Sequence, residues 1–342
     1  MLSNFLLYLI FRFFLALIYF LPFRLNAVFG RLIGRVYYLI DRRRRSIIKV
    51  NISVVFGREL NSKKRKTLAR ESCEHLAMHI LDFLKLHKIA NPQNYHRFIE
   101  IKGLSNLMKP IEKGKGAIVV MGHFGNVLLV RYLCYLNLPT RAAIIRELDN
   151  PYLERFVESI FKAHDGIMVR PDGAIKRMQQ LLLQNAIILT LADQKAGGNS
   201  RVGRHGIVVD FFGIPSQTHV TAPLLARRTG ASIIPLFLIR KGPGRYMVEI
   251  NEPLKQIRTA DQTSDLNRNT RSLNQIFEDY IRRYPHHWFW LHRRWKDIPG
   301  LEDLYDTHNP LELIQNFKRN QSREWPEGER PLVGTPCGQS LR

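Results

Sequence analysis

Ala117–Met121 is a short apolar run, partly β-branched, that stops abruptly in Gly122-His123-Phe124-Gly125-Asn126. A run this short, bounded by glycines at Gly116 and Gly122, predicts a buried strand. The apolar residues that follow, 127–136, are numerous enough for a helix. His123 is therefore expected in a tight turn at the C-terminal end of a strand and beside a helix N-terminus, where α/β sheets place ligands and catalytic groups. A histidine merely satisfied within a loop fits the same spacing.

The flanking sequence decides what surrounds that strand. Residues 2–22 are almost wholly apolar and aromatic, broken by Arg12. Roughly 20 such residues span the hydrocarbon of a bilayer as a helix, so 1–22 is expected to be a single membrane anchor. It lacks the leading charge and small-residue cleavage site of a signal peptide and is expected to be retained. Residues 23–97 form a helical lead-in. Within it Phe23–Ile40 is amphipathic, Arg42 to Arg45 form a basic block, and 62–87 carries Leu68, Leu76, Ile80, Leu81 and Leu84 at helical spacing before Asn91-Pro92. A basic block after the apolar stretch puts the body on the cytoplasmic side; a core helix followed by solvated charge is the other reading.

From Phe98 the pattern alternates. Strands are expected at 117–121, 141–145, 166–169 and 186–191, with helices at 151–164 and 172–184 between them. Further strands fall at 207–212, 232–239 and 246–250, and helices at 218–228 and 269–283. Such alternation predicts an α/β layer sandwich with a central, largely parallel sheet over 98–298. Residues 299–342 form a polar tail, with 322–342 expected to be disordered.

Lys and Arg number 52 against 29 Asp and Glu, a formal charge of +23. That excess invites an anionic partner: a nucleic acid, an anionic membrane or a phosphorylated substrate. The chain has no helix-turn-helix pattern, no aromatic RNA-recognition signature and no zinc-ligand spacing, which excludes nucleic acid and predicts no metal site. The three cysteines, Cys73, Cys134 and Cys337, form no disulfide framework and fit a reducing compartment.

His123-Phe124-Gly125-Asn126-Val127-Leu128 resembles the His-x4-Asp/Glu box of glycerolipid acyltransferases, in the form found in the lipid A late acyltransferases. Further stretches resemble that family in its own order. They are Arg146 with Asn150-Pro151-Tyr152, Asp193-Gln194, Phe211-Phe212-Gly213-Ile214-Pro215, Leu225 to Ala231, and Trp288-Phe289-Trp290 with His292, Arg293-Arg294 and Trp295-Lys296. Together they cover the chain to about Ile298. One position departs: Leu128 stands where the family has its carboxylate.

The resemblance implies a glycerolipid-acyltransferase-like fold and an inner-membrane enzyme of lipid A and lipopolysaccharide biosynthesis. It would move a fatty acyl chain from an acyl carrier protein or coenzyme A thioester to a hydroxyl of a lipid A precursor, related glycolipid or phospholipid, with no cofactor. It assigns His123 as the base and leaves Asp193 as either its carboxylate partner or a structural aspartate. Gly125, Asn126, Arg146, Asn150 and Arg293 fall to substrate binding, with turn amides around 124–126 suited to an oxyanion. Leu128 can neither accept a hydrogen bond nor offset an imidazolium, which also admits a non-catalytic relative that binds acyl chains and acts as a partner or regulator. Phe211 and Phe212 are candidates for an acyl tunnel, and the tryptophans for a membrane-interface edge or for core packing.

Overall fold

The computed structural model describes residues 2–136, 138–144, 150–152, 154, 155, 158, 166–170, 173–197 and 206–324. Four helices lead: α1 (Leu2–Phe20), α2 (Phe23–Ile40), α3 (Arg42–Phe56) and α4 (Ser62–Ile89). Asp41 caps α3 by accepting from the Arg44 amide at 2.8 Å, and Asn61 caps α4 by accepting from the Lys64 amide at 2.9 Å. Then follow β1 (Ile99–Lys102), α5 (Leu104–Glu112), β2 (Ala117–Met121), β3 (Arg141–Ile144), β4 (Gly166–Val169), α6 (Ala174–Leu183) and β5 (Ile187–Leu191). The remainder is β6 (Gly206–Phe211), β7 (Ile214–His219), α7 (Thr221–Thr229), β8 (Ser232–Gly242), β9 (Arg245–Ile250), α8 (Gln262–Arg283) and α9 (Pro310–Glu324).

Seven strands form one sheet in the order β1-β9-β8-β2-β5-β3-β4, with β6 and β7 as a separate antiparallel pair. Every pairing in the large sheet is parallel except β8 with β9. The fold is thus α/β with a mostly parallel central sheet. Successive β2 side chains alternate between two cores. Ile118 and Val120 pack with residues of α3, α6, α7 and α8, while Ala117, Val119 and Met121 pack with α4, α5 and 129–133. Helices on both faces explain why β2 reads as an unbroken apolar run.

Three predicted elements differ. Residues Val127–Tyr135 wind as a 3-10 segment whose first residue has no side-chain cap, burying Leu129, Tyr132 and Leu133. The helix expected from 218 begins at Thr221, because Ile214–His219 pairs with β6 and the Arg294 guanidinium takes both the Gln217 carbonyl and the Thr218 hydroxyl. The helix expected from 269 starts at Gln262, where Asp261 accepts from the Ser264 amide at 3.0 Å. Most of the expected helix at 151–164 lies outside the described residues, as does the tail after Glu324, whose preceding residues form α9.

The N-terminus requires a correction. Among the described residues no helix is long and apolar enough to cross a membrane. Instead α1 lies against α4, with Leu15 and Ile18 buried and the Lys85 ammonium bonded to the carbonyls of Tyr19 and Leu21. Beside it, α2 turns its small residues inward. A Cβ on Gly34 would meet Glu74 Cα at 2.4 Å, and one on Gly30 would meet Met78 Cα at 2.9 Å, so only glycine lets the two helices touch backbone to backbone. The apolar stripe of α2 (Val28, Phe29, Leu32, Ile33, Val36, Leu39 and Ile40) is left facing outward.

The sheet is fixed to α4 by a buried ion pair. Asp82 Oδ2 accepts from Arg240 Nε at 2.9 Å and from the Tyr246 hydroxyl at 2.9 Å. Arg240→Met would strand the Asp82 carboxylate in the interior. It is expected to cost about 3–5 kcal/mol in urea unfolding, against a change under about 1 kcal/mol if the pair is dispensable.

Candidate active site

Parallel pairing of β2 with β5 sets Ala117 beside Ile187 and Met121 beside Leu191. The offset persists past the strand ends. The Ala192 amide donates to the Met121 carbonyl at 3.0 Å, and two residues beyond each strand His123 and Asp193 come side by side. His123 Nδ1 lies 2.8 Å from Asp193 Oδ1, across 70 residues of sequence. Gly122 leaves the room: a Cβ there would sit 3.3 Å from the Asp193 carboxyl carbon and from the Phe277 ring.

Asp193 is only 1% exposed, and its second oxygen accepts from the Trp288 indole at 2.7 Å. Burial works against the carboxylate, but the charge and hydrogen bond of His123, with the Trp288 bond, more than compensate and lower its pKa to about 2. An ionised carboxylate only accepts, so His123 Nδ1 carries the proton and Nε2 keeps its lone pair. For His123, burial opposes the charged ring while the Asp193 charge and hydrogen bond favour it more strongly, and the net effect raises its pKa.

The His123 turn is held by residues 287–289. The Gly125 amide donates to the His287 carbonyl at 2.7 Å, and the Phe289 amide donates to the His123 carbonyl at 2.8 Å. Gly125 has φ +63°, and a Cβ there would fall 1.7 Å from the Leu238 carbonyl oxygen. Glycine is required, and its amide is already engaged, so it is not an oxyanion donor in this arrangement. Asn126 is likewise committed: its buried amide donates to the His79 carbonyl at 2.7 Å. From the other side α3 braces the strap. Asn51 Nδ2 donates to the carbonyls of Trp290 and His292 at 2.7 and 2.8 Å, and Arg44 donates to that of Leu291 at 3.1 Å.

His123 is about one-third exposed, at 32%, and lines a cavity of about 150 Å³. The cavity walls are mostly apolar: Ile48, Leu76, Ile80, Val127, Leu128, Phe289 and Leu291, with Trp288 and Trp290 behind. Leu128 is 49% exposed and contributes to this wall. The position expected to hold an acid therefore presents hydrocarbon, while the ring's carboxylate partner comes from β5.

The other candidates scatter. Arg146 lies outside the described residues. Asn150 accepts through its side chain from the Tyr152 amide at 2.9 Å and through its carbonyl from the Glu154 amide at 2.9 Å. Arg293 sits over the Tyr305 ring, 5.4 Å from its centroid, and does not line the cavity. Its neighbour Arg294 is buried, bonding Gln217 and Thr218 and lying 4.8 Å from the Phe211 ring centroid. Trp288, Trp290 and Trp295 are buried, as are Phe211 and Phe212, so none forms a membrane edge; Phe211, Phe212 and Trp295 are core and do not line the cavity, whereas Trp288 and Trp290 are core rings that also back its wall. The Trp288 role was not read from sequence; no spacing couples an indole to an aspartate on another strand.

His75, His79 and His287 bring ring nitrogens within 4.8 Å of one another, a possible cation set. Their hydrogen bonding argues against it. His287 Nε2 accepts from the Arg240 amide at 3.0 Å, and burial, first among its causes, holds the ring near a pKa of about 4. The neutral ring thus carries its proton on Nδ1, which has no lone pair to offer.

Known proteins place this geometry in context. Residues 1–297 match the family described as bacterial lipid A biosynthesis acyltransferase. The lipid A biosynthesis palmitoleoyltransferase of Escherichia coli is 23% identical over 287 residues, 83% of this chain and 90% of that protein. The lauroyltransferase of the same organism is 22% identical over 293 residues, with the same two coverages. A phosphatidylinositol mannoside acyltransferase of Mycobacterium tuberculosis is 26% identical over 202 residues, 57% of this chain and 59% of that protein. With the match running through nearly the whole described chain, the protein belongs to the bacterial lipid A biosynthesis acyltransferase family and is a lipid acyltransferase.

Proposed function

We propose that this enzyme transfers a fatty acyl group from an acyl carrier protein or coenzyme A thioester to a hydroxyl of a lipid A precursor or related glycolipid, using His123 as general base and Asp193 as its partner. The observation that carries the reading is the 2.8 Å contact between His123 Nδ1 and Asp193 Oδ1 at the wall of an apolar cavity. His123 Nε2 takes the proton of the acceptor hydroxyl as its oxygen attacks the thioester carbonyl. Asp193 offsets the imidazolium. Collapse of the tetrahedral intermediate forms the ester and expels the thiolate, which recovers the proton from His123. Arg146 is the proposed donor to the oxyanion, since the Gly125 amide is occupied. The relatives' names support a glycolipid acceptor, and their acyl groups differ, so chain length is left to the cavity.

Leu128 motivates the second reading, a non-catalytic acyl-binding relative. The Asp193 contact favours the enzyme, because it restores the function whose loss Leu128 implied.

Membrane attachment is proposed to run through the outward faces of α1 and α2 lying in the surface of the inner membrane, with the body on the cytoplasmic side. An apolar stripe with Arg24 and the basic start of α3 nearby has the character of an interfacial helix.

With labelled acyl donor and acceptor lipid in detergent, His123→Ala is expected to abolish transfer and Asp193→Asn to lower it by about 10^3–10^4, as loss of the carboxylate does in serine-protease triads. The base must be neutral and its pKa is raised, so kcat/KM rises with pH along a limb centred above the ordinary histidine value of about 6.5. The reading fails if transfer survives His123→Ala. Leu128→Glu places a charge on the apolar wall and leaves transfer at or below the natural rate; a gain of about tenfold or more would mean that Asp193 is not the working partner. Phe29→Glu with Leu32→Glu weakens flotation with anionic vesicles by about tenfold or more, and unchanged binding would remove α2 from the membrane contact.

A further inference from the structure

Sharing His286 with the apolar cavity is a second, polar one of about 350 Å³, bordered by Arg31 and Arg35 of α2 and by Arg70, Glu71, Glu74 and His75 of α4. His286 lines both cavities, so they meet at the strap that holds the His123 turn. The arginines are not randomly disposed. Glu74, with a side chain only 8% exposed, accepts from Arg35 Nε at 2.7 Å and lies 3.3 Å from Arg70 Nε. Both guanidiniums thus meet one buried carboxylate through Nε, Arg35 in a hydrogen bond and Arg70 in an ion pair, so Glu74 does not engage their Nη atoms. Glu71 stands off at 4.0 Å from Arg70 Nη2. Arg31 lies on the same face of α2, one turn before Arg35. Three guanidiniums against two carboxylates leave the pocket cationic.

We infer that this pocket binds a phosphate monoester of the acceptor glycolipid, with Arg31, Arg35 and Arg70 as its ligands and Glu74 as the residue that positions two of them. Guanidinium forks match phosphate geometry in a way that point charges do not. Its place suits the task. It opens beside the outward apolar stripe of α2, where an amphiphile's headgroup lies, and it adjoins the cavity of His123 through His286. A lipid whose phosphate rests here can carry a hydroxyl toward His123. The inference builds on the transfer proposed above and names what selects the acceptor.

The test compares a phosphorylated acceptor with its phosphatase-treated counterpart, using the full chain in detergent. The natural sequence is expected to show a KM about tenfold lower for the phosphorylated acceptor. Arg31→Gln with Arg35→Gln should erase that preference by raising KM for the phosphorylated form, with kcat moving by less than about twofold. Should the double variant fail to fold, the natural sequence still decides. Glucose 1-phosphate must inhibit competitively with the acceptor, whereas phosphatidylglycerol, which lacks a monoester, must not. Competition with the thioester donor would assign the pocket to the donor's phosphate and overturn the inference. So would equal KM for the two acceptors, or a variant with unchanged preference. If no acceptor is acylated at all, the transfer reading fails first, and calorimetric binding of glucose 1-phosphate to the natural and doubly substituted chains tests the pocket alone: equal binding, or none, overturns it.

Discussion

The parallel register of β2 against β5 is the constraint on which the site depends. It fixes which residues emerge together at the sheet's C-terminal edge, and a slip of one position would carry Asp193 away from His123. The fully buried β2 and the buried start of β5, Ile187 and Ile188, with apolar neighbours on both faces, hold that register firmly. The carboxylate is therefore positioned by the core, not by a loop. A base positioned this way does not require an acid in its own turn, which is why Leu128 can be given over to the cavity wall.

A second constraint acts on the turn itself. Residues 287–289 pair with 123–125, the Trp288 indole takes the carboxylate oxygen that His123 leaves, and α3 grips the same strap through Asn51 and Arg44. Several arginines consequently serve the interior of the protein. Arg44 bonds a strap carbonyl, Arg227 pairs with Asp265 and Arg240 with Asp82, while the arginines around Glu74 face a polar pocket. What remains outside accompanies an apolar stripe that exists because Gly30 and Gly34 bring α2 against α4 by its small face.

Periodicity made the sheet legible. The run at 117–121 needed no tertiary information, since a strand buried on both faces declares itself by composition; 166–169, at the sheet edge, and 246–250 were legible as short apolar runs. Start and stop signals were weaker. The Ile214–His219 strand was masked because its partner is a short hairpin neighbour and its extended end is held by Arg294 from far along the chain. At the site, the motif marked His123 and Asp193, but whether the aspartate faced the ring depended on strand register. Gly125 and Asn126 both border the cavity, but that the Gly125 amide and the Asn126 side-chain amide are already bonded was not legible, because sequence shows which groups a turn contains, not which are engaged. An apolar helix likewise reads the same whether it crosses a bilayer or lies on α4.

The central claim is that His123 presents a basic Nε2 because an ionised Asp193 holds the proton on Nδ1. Nitrogen-15 spectroscopy of histidine-labelled protein in detergent observes that state directly. The account predicts that the His123 ring is protonated at Nδ1, with a hydrogen-bonded proton far downfield, and titrates above about 6.5, both features vanishing in Asp193→Asn. A ring protonated at Nε2, or one that titrates as an ordinary histidine whichever residue stands at 193, would contradict it.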